Sequence, residues 1–368
     1  MNKNLPETLH VWLSIALVVL VAINSGIVFS IHQQLAPKAP PVVKLAATLI
    51  EAVGCAQCTD LATPLNGMGA ALGAKVTVKT VAGDGAEGKA LIAKHDIKRL
   101  PAIVLSGDVD KLEIPGVRAG ASGAQVFDIT PPPYWDVATA KAVGLVSATI
   151  LTKADCTQCT DLTATLLQLK KSGVVVAAEQ AVPSSSAEGL ALLAKYHITA
   201  VPTLIFSADA AEYDVIKSVW TTMGSVESDG MLVLRHVFPP YYALNESRIR
   251  GLVDLTYVTD SSCPSCYNAS LHRTILQNSF GVQFKTEKTV DITSAAGQQL
   301  KSQYKLLQVP TILMSGDTLV YPGLAKAWID VGSIEPDGTW VFRHDDLLSG
   351  IAYHDLASGK IVNATGGQ

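Results

Sequence analysis

Three times along the chain a Cys-x-x-Cys pair is followed, 46 or 47 residues later, by a proline set behind an aliphatic residue. The pairs are Cys55/Cys58, Cys156/Cys159 and Cys263/Cys266. The prolines are Pro101, Pro202 and Pro310, behind Leu100, Val201 and Val309. Those six cysteines are all the chain has. A chain that places every thiol in a closely spaced pair is built around dithiol chemistry or metal binding. It must also make one frame three times over.

Aligning the copies on their prolines extends the match. Ala86, Ala187 and Ala295 share one register, as do Gly88, Gly189 and Gly297, then Leu91, Leu192 and Leu300, and Ile97, Ile198 and Leu306. An apolar run after each proline ends in Ser106-x-Asp108, Ser207-x-Asp209 and Ser315-x-Asp317. The second and third copies also share Trp220/Trp328, Asp229-Gly230/Asp337-Gly338 and Arg235-His236/Arg343-His344, all 108 residues apart. This is internal duplication, and units of roughly a hundred residues are self-sufficient domains. The 368 residues, 48% hydrophobic and 16% charged, suffice for several cores. A net charge of -4 offers no electrostatic case for a nucleic-acid partner. No phosphate-binding, dinucleotide or HExxH motif competes with the cysteines.

Within a unit, β-branched apolar runs precede each pair (Ala47–Val53, Leu145–Thr152, Leu252–Thr259) and read as buried strands. Each pair opens a helical pattern, clearest at Leu162, Leu166, Leu167 and Leu169. Second strands (Lys75–Val81, Val174–Ala178, Val282–Thr289) and second helices (Glu87–His95, Glu188–Tyr196, Gly297–Tyr304) follow, and the proline starts a third strand. The Asp-Gly dipeptides predict hairpins that close the sheet, remodelled in the first copy, which lacks both dipeptide and tryptophan. Repeated tails at Tyr134-Trp135-Asp136, Tyr241-Tyr242 and Tyr353-His354-Asp355 read as domain junctions. The expected class is α/β: mixed central sheets flanked by helices, with domains at 46–143, 144–250 and 251–368.

Ahead of them, residues 1–45 read as a tail, a membrane span and a spacer, with a cleaved signal peptide or a buried helix as the other readings of the apolar run. Val11 to Ile31 is a run of 21 residues without a charge, about 31 Å as a helix and enough to cross a bilayer core. Pro37, Pro40 and Pro41 make a stiff spacer. A single-pass anchor holding the globular part on an extracytoplasmic face is the expected layout.

Two thiols at a helix N-terminus close a disulfide with little movement, and the unpaired N–H groups there favour thiolate. Asp60 and Asp161, two residues past the second cysteine, oppose that effect, whereas the third copy has neutral Asn268. Thiol activation is therefore expected to be moderate and strongest in the third copy.

A Cys-x-x-Cys at a strand-to-helix turn, followed by Lys195-Tyr196-His197-Ile198-Thr199-Ala200-Val201-Pro202-Thr203 and an apolar strand, resembles the thioredoxin-like superfamily. The layout is similar to multidomain disulfide isomerases. The resemblance implies cis-prolines at Pro101, Pro202 and Pro310. It implies attacking thiols at Cys55, Cys156 and Cys263 and resolving thiols at Cys58, Cys159 and Cys266. Leu100, Val201 and Val309 would offer their backbone to an extended substrate. Partners would be protein thiols and disulfides and an unidentified redox partner, with no cofactor. The chain departs from the family in its inner dipeptides (Ala-Gln, Thr-Gln, Pro-Ser), and no acid stands six residues before a first cysteine, where thioredoxins carry a buried aspartate. Two other readings stay open. The pairs could bind or deliver Zn or Cu, although His95 and His197 have no histidine partner at ligand spacing and read as surface or helix-end residues. They could equally be local disulfides of a redox-inert extracytoplasmic scaffold.

Overall fold

A computed structural model describes residues 43–364. The segment 11–31 lies outside the described residues, and among those described no helix is long and apolar enough to cross a membrane. The chain divides into two compact units. One holds residues 43–49 with Asp60–Val81 and Ile103–Phe127; the other holds Ile50–Thr59, Ala82–Ala102 and residues 128–364.

Three repeated α/β frames are present. The first copy has helices α1 (Ala62–Leu72) and α2 (Ala86–His95). The second has α3 (Leu162–Lys171), α4 (Ala187–Lys195) and α5 (Asp214–Met223). The third has α6 (Ser270–Phe280), α7 (Ala295–Tyr304) and α8 (Pro322–Val331). In the second copy the strand Val146–Thr152 lies between parallel Val176–Pro183 and antiparallel Thr203–Phe206, and the hairpin Leu232–Leu234/Gly224–Val226 completes five strands. The third copy repeats this order, and the first has the same five-stranded succession. The Asp-Gly turns sit in these hairpins, with Gly230 and Gly338 at φ 83° and 82°.

Apolar strands form the centres because both sheet faces are covered. On one face of the second sheet, Leu162 and Leu166, one helical turn apart, pack with Leu204, Phe206, Ile216 and Trp220. On the other, Leu151, Val182, Tyr196, Val201, Ile205 and Val233 form a second core. The glycine repeated in register has a steric cause. A Cβ on Gly88, Gly189 or Gly297 would stand 2.1 Å from the carbonyl oxygen of Ala82, Pro183 or Asp291, where the second helix abuts the preceding strand.

Each tail becomes a hairpin. Tyr134–Asp136, Tyr241–Ala243 and Ala352–Asp355 each pair with a following strand and with the two residues at the start of the proline motif. The first two hairpins run directly into the next frame through Gly144 and Gly251, at φ 90° and 93°. Those glycines donate their N–H to Asp209 (2.8 Å) and Asp317 (3.2 Å), and their carbonyls accept from Tyr213 and Tyr321 Oη at 2.6 and 2.5 Å. The Ser-x-Asp motif thus joins a frame to the hairpin before it.

Candidate active site: three disulfide turns and their surroundings

Each cysteine pair is closed as a disulfide, with Cα separations of 5.3, 5.4 and 5.4 Å. The turn is tied by its own backbone: Cys58, Cys159 and Cys266 donate N–H to the carbonyls of Cys55, Cys156 and Cys263 at 3.2, 3.3 and 3.2 Å. This corrects one expectation. The pairs do not open the helices; α1, α3 and α6 begin at Ala62, Leu162 and Ser270. Their first N–H groups are taken by side chains: Asp60 Oδ1 accepts from Ala62 N (2.8 Å), Asp161 from Thr163 N (2.8 Å), and Asn268 from Ser270 N (2.9 Å). A helix terminus acts within about one turn, and here it is spent on these caps. Asp60 and Asp161 are held below the usual carboxylate range by Thr63 and Thr163. Both therefore stay ionised, two residues past the second cysteine, while also accepting a helix N–H.

Residue exposure also differs from the roles implied by the family. Cys55 and Cys263 are buried, at 8% and 5% exposure, whereas Cys58 and Cys266 are half-buried, as are both Cys156 and Cys159.

The Leu100–Pro101, Val201–Pro202 and Val309–Pro310 bonds are cis, and so are Pro132–Pro133 and Pro239–Pro240 in the first two tails. Leu100, Val201 and Val309 are buried and pair antiparallel with Trp135, Tyr242 and His354 of the chain's own hairpins. The edge assigned to an extended substrate is therefore filled from within the chain. The same hairpins hold the turns: Thr59, Thr160 and Tyr267, next to the second cysteine, donate N–H to Pro133, Pro240 and Ala352 carbonyls at 2.8, 2.8 and 2.9 Å. Beside the first turn lies a cavity of about 460 Å³ lined by Val53, Ile92, Leu100 and Trp135, with Asp84 and Lys89 among its polar groups.

Surroundings differ most three residues before the first cysteine, where the copies carry Ala52, Lys153 and Asp260. Lys153 pairs with Asp155 and lies 4.9 Å from the Tyr242 ring centre. Asp260 is buried and bonded to Ser262 and to His354 Nδ1. Burial alone would raise its pKa, but those bonds outweigh it and hold the group low.

The third copy adds a buried polar cluster. Tyr267 Oη lies 2.8 Å from His272 Nε2, 2.8 Å from the Pro310 carbonyl and 2.9 Å from Asp345 Oδ1. The phenol has one proton and donates to one of these groups, so each further hydrogen bond to Tyr267 Oη needs a proton on Asp345 or on His272 Nε2. Burial pushes Asp345 up to about 7 and His272 down to about 4, and Asp345 Oδ2 has no partner. The corresponding place in the first copy holds Thr130, three residues past Phe127 as Asp345 is past Phe342; Thr130 Oγ1 donates to the Pro101 carbonyl at 2.6 Å. In the second copy it is Val237. Sequence reasoning missed Tyr267, His272 and Asp345. The available signal was departure from the repeat: tyrosine where the other copies have Thr59 and Thr160, and aspartate after the shared Arg-His. His95, read as a helix-end residue, does end α2 but is buried at 4% exposure. Among the described residues no three His, Cys, Asp or Glu side chains gather as a metal site.

Repeated α/β frames, each with a Cys-x-x-Cys turn between first strand and first helix and a cis X-Pro before the third strand, have the fold of tandem thioredoxin-like units. No family profile and no curated protein matches the chain. Among solved structures, ERdj5 in crystal form I is 13% identical, covering 75% of this chain and 36% of that one, with a TM-score of 0.15. Human ERp44 in a zinc-bound form is 11% identical over 78% of this chain and 85% of its own, with a TM-score of 0.14. The chain thus spans 36% of the ERdj5 length. Similarity this low adds no argument about the sites, whose reading rests on this chain's own geometry.

Proposed function

We propose that this is a thiol–disulfide oxidoreductase or isomerase acting on protein disulfides, anchored by residues 11–31 with its domains on an extracytoplasmic face. The observation that carries the reading is the threefold disulfide turn on a repeated frame that begins its third strand at a cis-proline. A reduced pair reacts when one thiolate attacks a substrate disulfide, forming a mixed disulfide and releasing one substrate thiolate. The second cysteine then attacks the mixed disulfide, re-forming the turn and releasing the other substrate thiolate; the reverse sequence oxidises a substrate dithiol. Net turnover needs a dithiol or disulfide partner of unidentified nature. The six cysteines carry the chemistry. Exposure favours Cys58 and Cys266 as the sulfurs that meet substrate in the first and third copies. An extended chain meets the sulfurs from the solvent side of the turn, or displaces the hairpin beside Leu100, Val201 or Val309.

The test uses the full chain in detergent. Reduced protein is offered a disulfide-containing substrate, with each cysteine replaced singly by serine. A trapped mixed disulfide at the remaining cysteine of a pair supports exchange. No trap at any of the six, with no thiol alkylated faster than free cysteine, removes the enzymatic reading. Protease protection in sealed membranes checks the topology, and cytoplasmic accessibility of the domains overturns it.

A further inference from the structure

The Pro310 carbonyl stands where Gln308–Val309 ends and the third strand, Thr311–Gly316, begins. It accepts a hydrogen bond from Tyr267, the residue after Cys266, at 2.8 Å. Tyr267 thus ties the third disulfide turn to that strand through its side chain. Its Oη has two further partners, Asp345 Oδ1 at 2.9 Å and His272 Nε2 at 2.8 Å. Asp345, on the single turn Asp345–Leu347, and His272, on α6, are both buried. The phenol holds one proton, so all three bonds coexist only when Asp345 and His272 Nε2 each carry a proton and donate it to Oη. The other carboxyl oxygen, Asp345 Oδ2, is buried without a partner among the described residues. A neutral acid tolerates that far better than a carboxylate does. Removing the Asp345 proton leaves the phenol one proton for two acceptors. The charge-assisted bond to the carboxylate is the stronger, so the Pro310 carbonyl loses its donor.

We infer, on the reading of the third pair as a working site proposed above, that Asp345 is a positioning residue for that disulfide. Protonated, it leaves the Tyr267 hydroxyl on the Pro310 carbonyl and holds the turn to the third strand; ionised, it draws the hydroxyl away and frees the turn. Burial pushes Asp345 up to about 7, so the change of partner falls near neutral pH. His272, pushed down to about 4 by burial, stays neutral there. The other groups facing Asp345 are Asp346, which raises it and pairs with His344, and Tyr353 of the following hairpin. Its own N–H goes to Gln308 Oε1 at 3.2 Å. In the first copy the Pro101 carbonyl accepts from Thr130 Oγ1 at 2.6 Å, a donor that does not titrate, and in the second Val237 takes that place. The third pair alone should answer to pH in this way.

The test uses the full chain, reduced by dithiothreitol between about pH 5.5 and 8.5, with isotope-coded alkylation and mass spectrometry scoring each pair separately. Dividing the reduction rate of the third pair by that of the second cancels the reagent's own titration. The quotient should rise about fivefold across the range, the effect of losing one hydrogen bond. Asp345→Asn, whose amide donates as the protonated acid does, should keep the quotient at its low value at every pH. Tyr267→Phe should keep it at the high value. A quotient that is flat in the parent overturns the clamp, as does a rise that persists in Asp345→Asn. The latter result moves the effect to Asp346, His344 or the Asp260–His354 pair, which that variant retains. A rise that persists in Tyr267→Phe overturns it too, and should that variant melt early, Asp345→Asn decides. Reduction by a small dithiol needs no protein substrate, so the clamp can fail while mixed disulfides are trapped, and trapping can fail while the clamp holds.

Discussion

The second and third copies share a frame, with Gly189/Gly297, Trp220/Trp328 and Asp229-Gly230/Asp337-Gly338 in register, but surround their disulfides differently. At the second turn Lys153 is paired with Asp155, and the place beyond the last strand is held by Val237. At the third, Asp260 and His354 are bonded beside the turn, and Tyr267, His272 and Asp345 form a buried cluster at the cis-proline carbonyl. Frame positions are fixed by packing, which tolerates little change in volume. Positions around the turn are free to vary in charge. Repetition of a fold therefore need not mean repetition of reactivity.

The largest expected effect tests the shared part. Trp220→Ala and Trp328→Ala each remove a core aromatic, and each should cost about 3–5 kcal/mol, measured by urea unfolding. Unequal losses, with one near zero, would break the equivalence of the two frames.

The next effect separates them. Asp345 carries a raised pKa in the folded protein, so between roughly pH 4 and 7 the native state holds a proton that the unfolded state has lost, and stability falls as pH rises. His272 carries a lowered one, so between about 4 and 6.5 the unfolded state binds the extra proton, and stability rises with pH. In the intact chain the two slopes nearly cancel below pH 6.5. Asp346 adds to the raised value of Asp345 and Tyr267 opposes it. Asp345→Asn should unmask the histidine slope and His272→Phe the aspartate slope, each a swing of about 3 kcal/mol relative to the parent over that range. Parallel stability–pH curves for all three proteins would refute the opposed pair.

A smaller difference is expected at the junctions. Asp317 receives Arg248, Arg250 and Gly251 N–H at 2.9–3.2 Å, whereas Asp209 receives Gly144 N–H. Asp317→Ala should cost about 2 kcal/mol, after discounting for the half-exposed Arg248, and Asp209→Ala about 1 kcal/mol. Calorimetry checks this, and a larger loss from Asp209→Ala would reverse the ranking.

The smallest effect concerns the thiols. With a cation near the second turn and a carboxylate near the third, reduced Cys156/Cys159 should alkylate several-fold faster at pH 7 than Cys263/Cys266, a difference of about one pKa unit or less. Lys153→Met should erase the gap, and faster alkylation of the third pair in the parent protein would invert it.

Strand Leu252–Thr259 matched its sequence reading at both ends, and the second helices fell within one or two residues, because apolar runs and register are local signals. Helix starts after the cysteines were not legible. An aspartate two residues past a Cys-x-x-Cys reads equally well as a repelling charge or as a cap, and only the backbone path distinguishes them. The filled substrate edge was hidden for a related reason: pairing of Leu100 with Trp135 joins residues far apart in sequence, and each strand end is too short to carry a pattern.

Sequence alone determined that this chain makes one α/β frame three times, with a dithiol turn and a proline at matched places in each. Periodicity, glycine register and cysteine spacing are properties of neighbouring residues, so they survive without the fold. Tertiary structure alone decided which charges stand beside each disulfide and which sulfur is exposed. Those depend on burial and on contacts between distant segments, and burial is what turns Asp345 and His272 from ordinary residues into opposed titrating groups.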